Sequence, residues 1–191
     1  MRHDAGSRPV LCVLGVLVFC FGLIAQAAPD EIPKDIPEKL RVKGPVVGVV
    51  HATGVQVYTC VVEDKKPTWK LKEPNAKFEN AAGLKGTHYR DNKVPAGPAW
   101  KADDGSAVVG NKVNEQRADK DDSVPWLLLE AIRHEGNGKL SGVTYIQRIH
   151  TSGGVAPAIG QGKVGDEMPV KYEADYVFYG PGATTQPAAA R

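Results

Sequence analysis

Residues 97–110 read GPAWKADDGSAVVG, and Asp103, Asp104 and Ser106 at its centre are residue types that do chemistry. A carboxylate pair can hold a cation or act as general acid and base, and a serine near a histidine can serve as a nucleophile. His88 is the histidine that a hydrolase would recruit here, with Asp104 or Ser106. A serine nucleophile also needs an activating geometry, and the strained G-x-S-x-G elbow is missing from the chain. Asp-Gly, by contrast, is a preferred pair in tight hairpins, because Asp tolerates positive φ and Gly accepts it freely. The stretch is therefore expected to be a two-residue type I′ turn centred on Asp104-Gly105, with Asp104→Asn nearly neutral.

The other polar candidates are sparse. His51, His88, His134 and His150 show none of the short ligand spacings of a zinc site, so no metal site is expected. The glycine-rich stretch 151–167 lacks the Lys-Ser/Thr of a phosphate cradle, and no G-x-G-x-x-G opens a helix after a strand, so no cofactor is expected. The aromatic residues lead further. Trp100, His88 and Tyr89 can line a cleft while Gln147 and Arg148, with Asp104, supply hydrogen bonds, which makes these residues the candidate ligand-binding set. Trp100 follows Gly97-Pro98-Ala99 and is expected to be an exposed ring. Trp126, inside PWLLL, is expected to be buried.

The elements that must position these residues have a period of two. GVQVYTCVV sets Val55, Val57, Thr59 and Val61 against Gln56, Tyr58, Cys60 and Val62. GVTYIQRIHT sets Val143, Tyr145, Gln147 and Ile149 against Thr144, Ile146, Arg148 and His150. Tyr172, Ala174, Tyr176 and Phe178 share a face in the same way. Alternation in β-branched and aromatic residues predicts strands. VPWLLLEAIRH fits a buried strand or a short helix, and the glycine-rich turn after it favours a hairpin. Glycine and proline punctuate the chain throughout, and no amphipathic helix of useful length is seen. The expected fold is all-β, an antiparallel β-sandwich or a flattened β-barrel, in a single domain.

The ends differ from the middle. Arg2 and Arg8 precede an apolar run from Val10 to Ala25, and Ala25-Gln26-Ala27 is a small-x-small cleavage pattern, so residues 1–27 read as a signal peptide. Residues 28–44 form a proline-rich extended arm, with Pro29, Pro33 and Pro37 four apart. Residues 45–180 are the β domain, and 181–191 a disordered tail. The expected location is exported, periplasmic or extracellular, with no transmembrane segment after cleavage. Losing Arg2, Arg8 and Asp4 lowers the formal net charge of +2 by one. Such a balance gives no case for nucleic acid. Cys60 is the one cysteine of the mature chain, so stability is expected to rest on the core rather than an internal disulfide.

Six phrases in order resemble the domain-of-unknown-function family 3455: GVQVYTC, GTHYR, GPAWKADDGSAVVG, VPWLLLEA, VTYIQRIHTSGGVAP and YEADYVFYG. They cover about Gly54 to Gly180. The resemblance implies an extracellular β-rich domain and carries no established activity. Some fungal members are labelled malate dehydrogenase, a label that the missing dinucleotide motif rejects here. Asp91–Ala96 lengthens one connection relative to typical members, and Gln161 stands near where relatives often have a cysteine. The expected function is a non-enzymatic ligand-binding or structural module, with a small molecule, a glycan or a cell-envelope component as partner; the alternative is the hydrolase built on His88.

The cleavage pattern has a direct check. Mass spectrometry of exported protein is expected to find an N-terminus at Ala28 or Pro29, and an intact Met1 on membrane-bound material contradicts it.

Overall fold

Two-residue alternation becomes strand after strand in the computed structural model, which describes residues 34–160 and 162–185. The signal peptide, Pro29 and Pro33 of the arm, and residues 186–191 of the tail lie outside the described residues. Two short strands, β1 (Val42–Lys43) and β10 (Thr184–Thr185), pair with each other; Thr184 and Thr185 belong to the stretch read as tail. The remaining strands are β2 (Val46–Glu63), β3 (Lys66–Glu79), β4 (Lys85–Asp91), β5 (Gly97–Ala102), β6 (Ala107–Gln116), β7 (Trp126–Glu135), β8 (Tyr145–Gly153) and β9 (Glu167–Tyr179). Each pairs antiparallel with the next, and β9 pairs back onto β2. The result is a closed eight-stranded up-and-down barrel. Between the two expected architectures, the barrel is the one formed. VPWLLLEAIRH supplies strand β7. No described helix is long and apolar enough to cross a membrane.

Closure fixes which face of each strand is interior. Val50, Ala52, Phe78, Trp100, Val108, Leu129, Ile146, Ala174, Tyr176 and Phe178 fill the inside. Loop residues Leu84, Leu140 and Val143 join that core and plug one end of the barrel. A second core lies outside the wall. Ile36, just before a single 3-10 turn (Glu38–Leu40), and Leu40, its last residue, pack with Trp126, Leu128, Ile149, Val177 and Tyr179. The end of the extended arm thus covers apolar residues that a closed barrel would otherwise show to water. Trp126 is buried, as expected.

The Asp-Gly stretch belongs to the plug. The Gly105 amide donates to the Ala102 carbonyl (3.0 Å) and the Ala102 amide to the Ser106 carbonyl (2.9 Å). Only Gly105 takes positive φ, +89°; Asp104 does not. The turn therefore centres on Asp103-Asp104 with Gly105 in the left-handed bulge position, a three-residue loop rather than the expected type I′ pair. The carboxylate of Asp104 is fully used. Its Oδ1 accepts from the Ser106 amide (2.9 Å) and hydroxyl (2.6 Å), and its Oδ2 from the Lys139 amide (2.8 Å). Ser106 Oγ in turn accepts from the Leu140 amide at 3.1 Å. These bonds pin the 136–144 loop, and with it Leu140, against the barrel end. Gly138 is required there, since a Cβ would meet the Asp104 carboxylate at 2.4 Å.

This bracing corrects the expectation that Asp104→Asn is neutral. Asn keeps one oxygen for Ser106 but turns an amide N–H toward the Lys139 N–H, so about 1–2 kcal/mol of stability should be lost. Gly105→Val, strained at φ +89° although nothing lies within 4 Å of its Cβ, should also cost at least about 1 kcal/mol. Urea unfolding of both variants checks this; wild-type stability in Asp104→Asn would show that the brace contributes nothing.

Candidate functional site

The opposite end of the barrel is not plugged in the same way. Pairing of β3 with β4 stops at Ala76–His88, although β3 continues to Lys66 and β4 to Asp91. Pro74, with no N–H to donate, lies two residues beyond the last pair. The seam between the two strands opens into a cavity of about 160 Å³ in the barrel interior. Leu71, Lys72, Glu73 and Pro74 form one side of its mouth, and Arg90 and Pro98 belong to the other strands that line it. Deeper walls come from Gln56, His88, Trp100, Leu127, Leu129, Arg148 and Tyr176. All six of the sequence phrases quoted above contribute at least one of these residues.

Three rings organise the interior. His88 and Trp100 are cross-strand partners, stacked with centroids 4.4 Å apart and planes 10° from parallel. Tyr176 approaches both at 5.2 Å, edge-on to Trp100. The Tyr172 and Tyr176 hydroxyls lie 3.3 Å apart. Burial raises both phenols above their ordinary range, so they stay protonated. Burial also lowers His88 to about 3, against the hydrogen bond to Ala99 and assisted by the Arg148 charge. His88 is thus a neutral imidazole at ordinary pH. With Nδ1 donating to the Ala99 carbonyl at 2.9 Å, its Nε2 is an acceptor.

Arg148 brings the positive charge. The Pro125 carbonyl accepts from its Nε (3.1 Å) and Nη2 (2.8 Å), and its charge acts on the Tyr176 phenol against the effect of burial. Two buried donors on residues of the same wall, Trp100 Nε1 and Gln56 Nε2, have no acceptor among the described residues. An unmade buried hydrogen bond costs about 1–3 kcal/mol. Apolar side chains and residues with unspent donors thus meet in the same cavity lining.

Strand alternation divides the expected ligand set. Trp100, His88 and Arg148 line the cavity together. Trp100 is 1 % exposed, so the expected exposed ring is instead an interior wall; Pro98 and Gly97 lie within strand β5, not in a turn. Tyr89 alternates with His88 and stands on the outer face, where Asp91 and Glu135 act on it. Gln147 alternates with Arg148 and sits in the outer core, accepting from the Tyr179 hydroxyl at 2.7 Å and donating to the Leu40 carbonyl. It fastens the arm. Asp104 and Ser106 brace the plugged end, and His88 shares no hydrogen bond with Ser106; each is held by the partners named above. Gln56, Tyr176, Leu127, Leu129 and Arg90 escaped the sequence reading. Their signal was their position on the same alternating faces as His88 and Arg148, which only closure marks as interior.

One polar cluster lies outside the cavity. Asp175 bridges His51 Nδ1 (2.8 Å) and His150 Nδ1 (2.9 Å), and His150 Nε2 reaches Asp35 of the arm at 3.2 Å. No group of three or more His, Cys, Asp or Glu among the described residues could hold a metal ion.

Comparison with known proteins adds one match. The family model described as "Protein of unknown function (DUF3455)" matches residues 42–180, the whole barrel. No curated protein and no solved structure matches the chain.

Two histidines give stability opposite pH slopes. The folded pKa of His88 is depressed, so its contribution is present above the unfolded value of ~6.5 and lost as pH falls toward about 3. Partial burial disfavours charge on His150, but Asp175 and Asp35 outweigh it and raise its pKa. Its contribution is present below ~6.5 and lost as pH rises through the raised value. The melting temperature should peak near pH ~6.5, and His150→Asn should flatten the alkaline limb alone. A melting temperature that stays level between pH ~4 and ~6.5 would contradict the neutral, buried state of His88.

Proposed function

We propose that this chain, which belongs to the DUF3455 family, is an exported barrel that binds a small molecule in the seam-side cavity without transforming it. The observation that carries the reading is the pair of buried donors, Trp100 Nε1 and Gln56 Nε2, on residues that line a cavity with both apolar and charged walls. A cavity that served only as filler would be expected to be lined by groups with no hydrogen-bonding demand. Its volume of about 160 Å³ suits one ring or a short chain, since a cavity of ~150 Å³ elsewhere admits benzene. The rest of a larger ligand can extend through the mouth between β3 and β4. Export rests on the N-terminal pattern of basic, apolar and small residues.

The reaction-based alternative has less support. A His88 nucleophile or base would have to work from a ring whose pKa is depressed to about 3 and whose Nδ1 is committed to Ala99. Such an imidazole is too weak a base for efficient proton abstraction near neutral pH.

The indole N–H of Trp100 is the natural reporter. Titration with benzyl alcohol, benzamide, benzoate and hexanoate is expected to shift its proton resonance saturably for at least one compound. A bound compound should also raise the melting temperature, by the equivalent of ~2.7 kcal/mol at a hundred times Kd. Leu127→Trp, which fills the cavity from its wall, should remove both responses. A resonance that no compound moves would end the binding reading.

A further inference from the structure

We propose that the ligand is a small organic anion, an aromatic or short aliphatic carboxylate, whose charged group is held by Arg148 inside the barrel. The inference rests on the binding reading and names the ligand class of that same site. Arg148 is partly buried, and among the described residues no carboxylate lies within ion-pair distance of it. Glu115, an acid that feels the Arg148 charge, is itself paired with Lys112 at 2.6 Å. A guanidinium withdrawn from water is ordinarily matched by an anion. Here its hydrogen-bond partner is the neutral Pro125 carbonyl.

A guanidinium carries five N–H donors. The Pro125 carbonyl takes two, which leaves part of the fork for a ligand. Among the described residues, Trp100 Nε1 and Gln56 Nε2 also lack a hydrogen-bond partner, and both residues line the same cavity. A carboxylate offers about four acceptor sites and no donor, which matches this excess of donors. At the mouth, Lys72 is paired with Glu167 at 2.6 Å, and Glu73 stands against Arg90 in charge. Entry is therefore not barred by net negative charge. Trp100, Leu127 and Leu129 provide the apolar surface for the body of the acid.

Three probes of nearly equal shape separate charge from fit: benzoate, benzamide and benzylammonium. By NMR titration of the full mature chain near pH 7, benzoate should bind at least about tenfold tighter than benzamide, the margin of a charge-assisted over a neutral hydrogen bond. Benzylammonium should bind weakest. Arg148→Gln should bring benzoate to the level of benzamide. Arg90→Gln, at the exposed rim, should lower benzoate affinity less and weaken its dependence on salt. The wild-type ranking stands as a test even if Arg148→Gln fails to fold. Benzamide binding as well as benzoate, or benzylammonium binding better, overturns the anion and leaves cavity binding intact. No response to any of the three overturns the binding reading itself.

Discussion

Closing eight strands into a ring gives each barrel strand a neighbour on both sides, and the long β2–β9 pairing from Val46–Tyr179 to Thr59–Glu167 is what completes the ring. Once that pairing exists, inside and outside are defined for every strand, and each side chain is assigned by parity. The interior then has to be filled, because an eight-stranded barrel is only just wide enough for side chains. Large apolar residues do this at one end, with Leu84, Leu140 and Val143 of the loops as a plug. At the other, β3 and β4 part beyond Ala76–His88 and the filling is polar. The asymmetry between the two ends gives the barrel its site.

The polar interior is stabilised by exact neighbours rather than by solvent. His88 is kept neutral by burial, stacked on Trp100 and tied to Ala99. Arg148 leans on the Pro125 carbonyl, so the residue that brings charge into the barrel is anchored by the backbone just before β7. Removing Trp100 would take a ring from both the core and the cavity; large-to-small changes of this kind cost about 3–5 kcal/mol. Packing and the cavity lining therefore draw on the same side chains here.

Outside the wall, a second layer solves a different problem. Tyr145, Ile149, Val177 and Tyr179 face away from the barrel axis, and the arm lays Ile36 and Leu40 over them. Gln147 joins the two layers through the Tyr179 hydroxyl and the Leu40 carbonyl. His150 adds a charged tie to Asp35 from the neighbouring position on the wall. The arm is thus held by an apolar core, a neutral hydrogen-bond chain and a protonatable contact. Of these, only the contact through His150 weakens as pH rises through its titration.

The sequence by itself determined the strands, because alternation of apolar and polar residues is a local property with a period of two. It also marked a turn at Asp104-Gly105, since glycine there answers a local demand for positive φ; that the loop spans three residues, 103–105, came from the structure. It placed Trp100, His88 and Arg148 among the residues of interest. Which residues share one cavity was decided only by the tertiary structure. Gln147 and Arg148 are neighbours in the chain yet face opposite sides of the wall, whereas Gln56, His88, Trp100 and Arg148 are far apart in the chain and meet inside it. The role of Asp104 was settled the same way. Its local pattern fits a turn, but its third hydrogen bond goes to Lys139, 35 residues away, and only the closed ring brings that amide to it. Local periodicity says which side chains share a face of a strand; closure says which face is the interior.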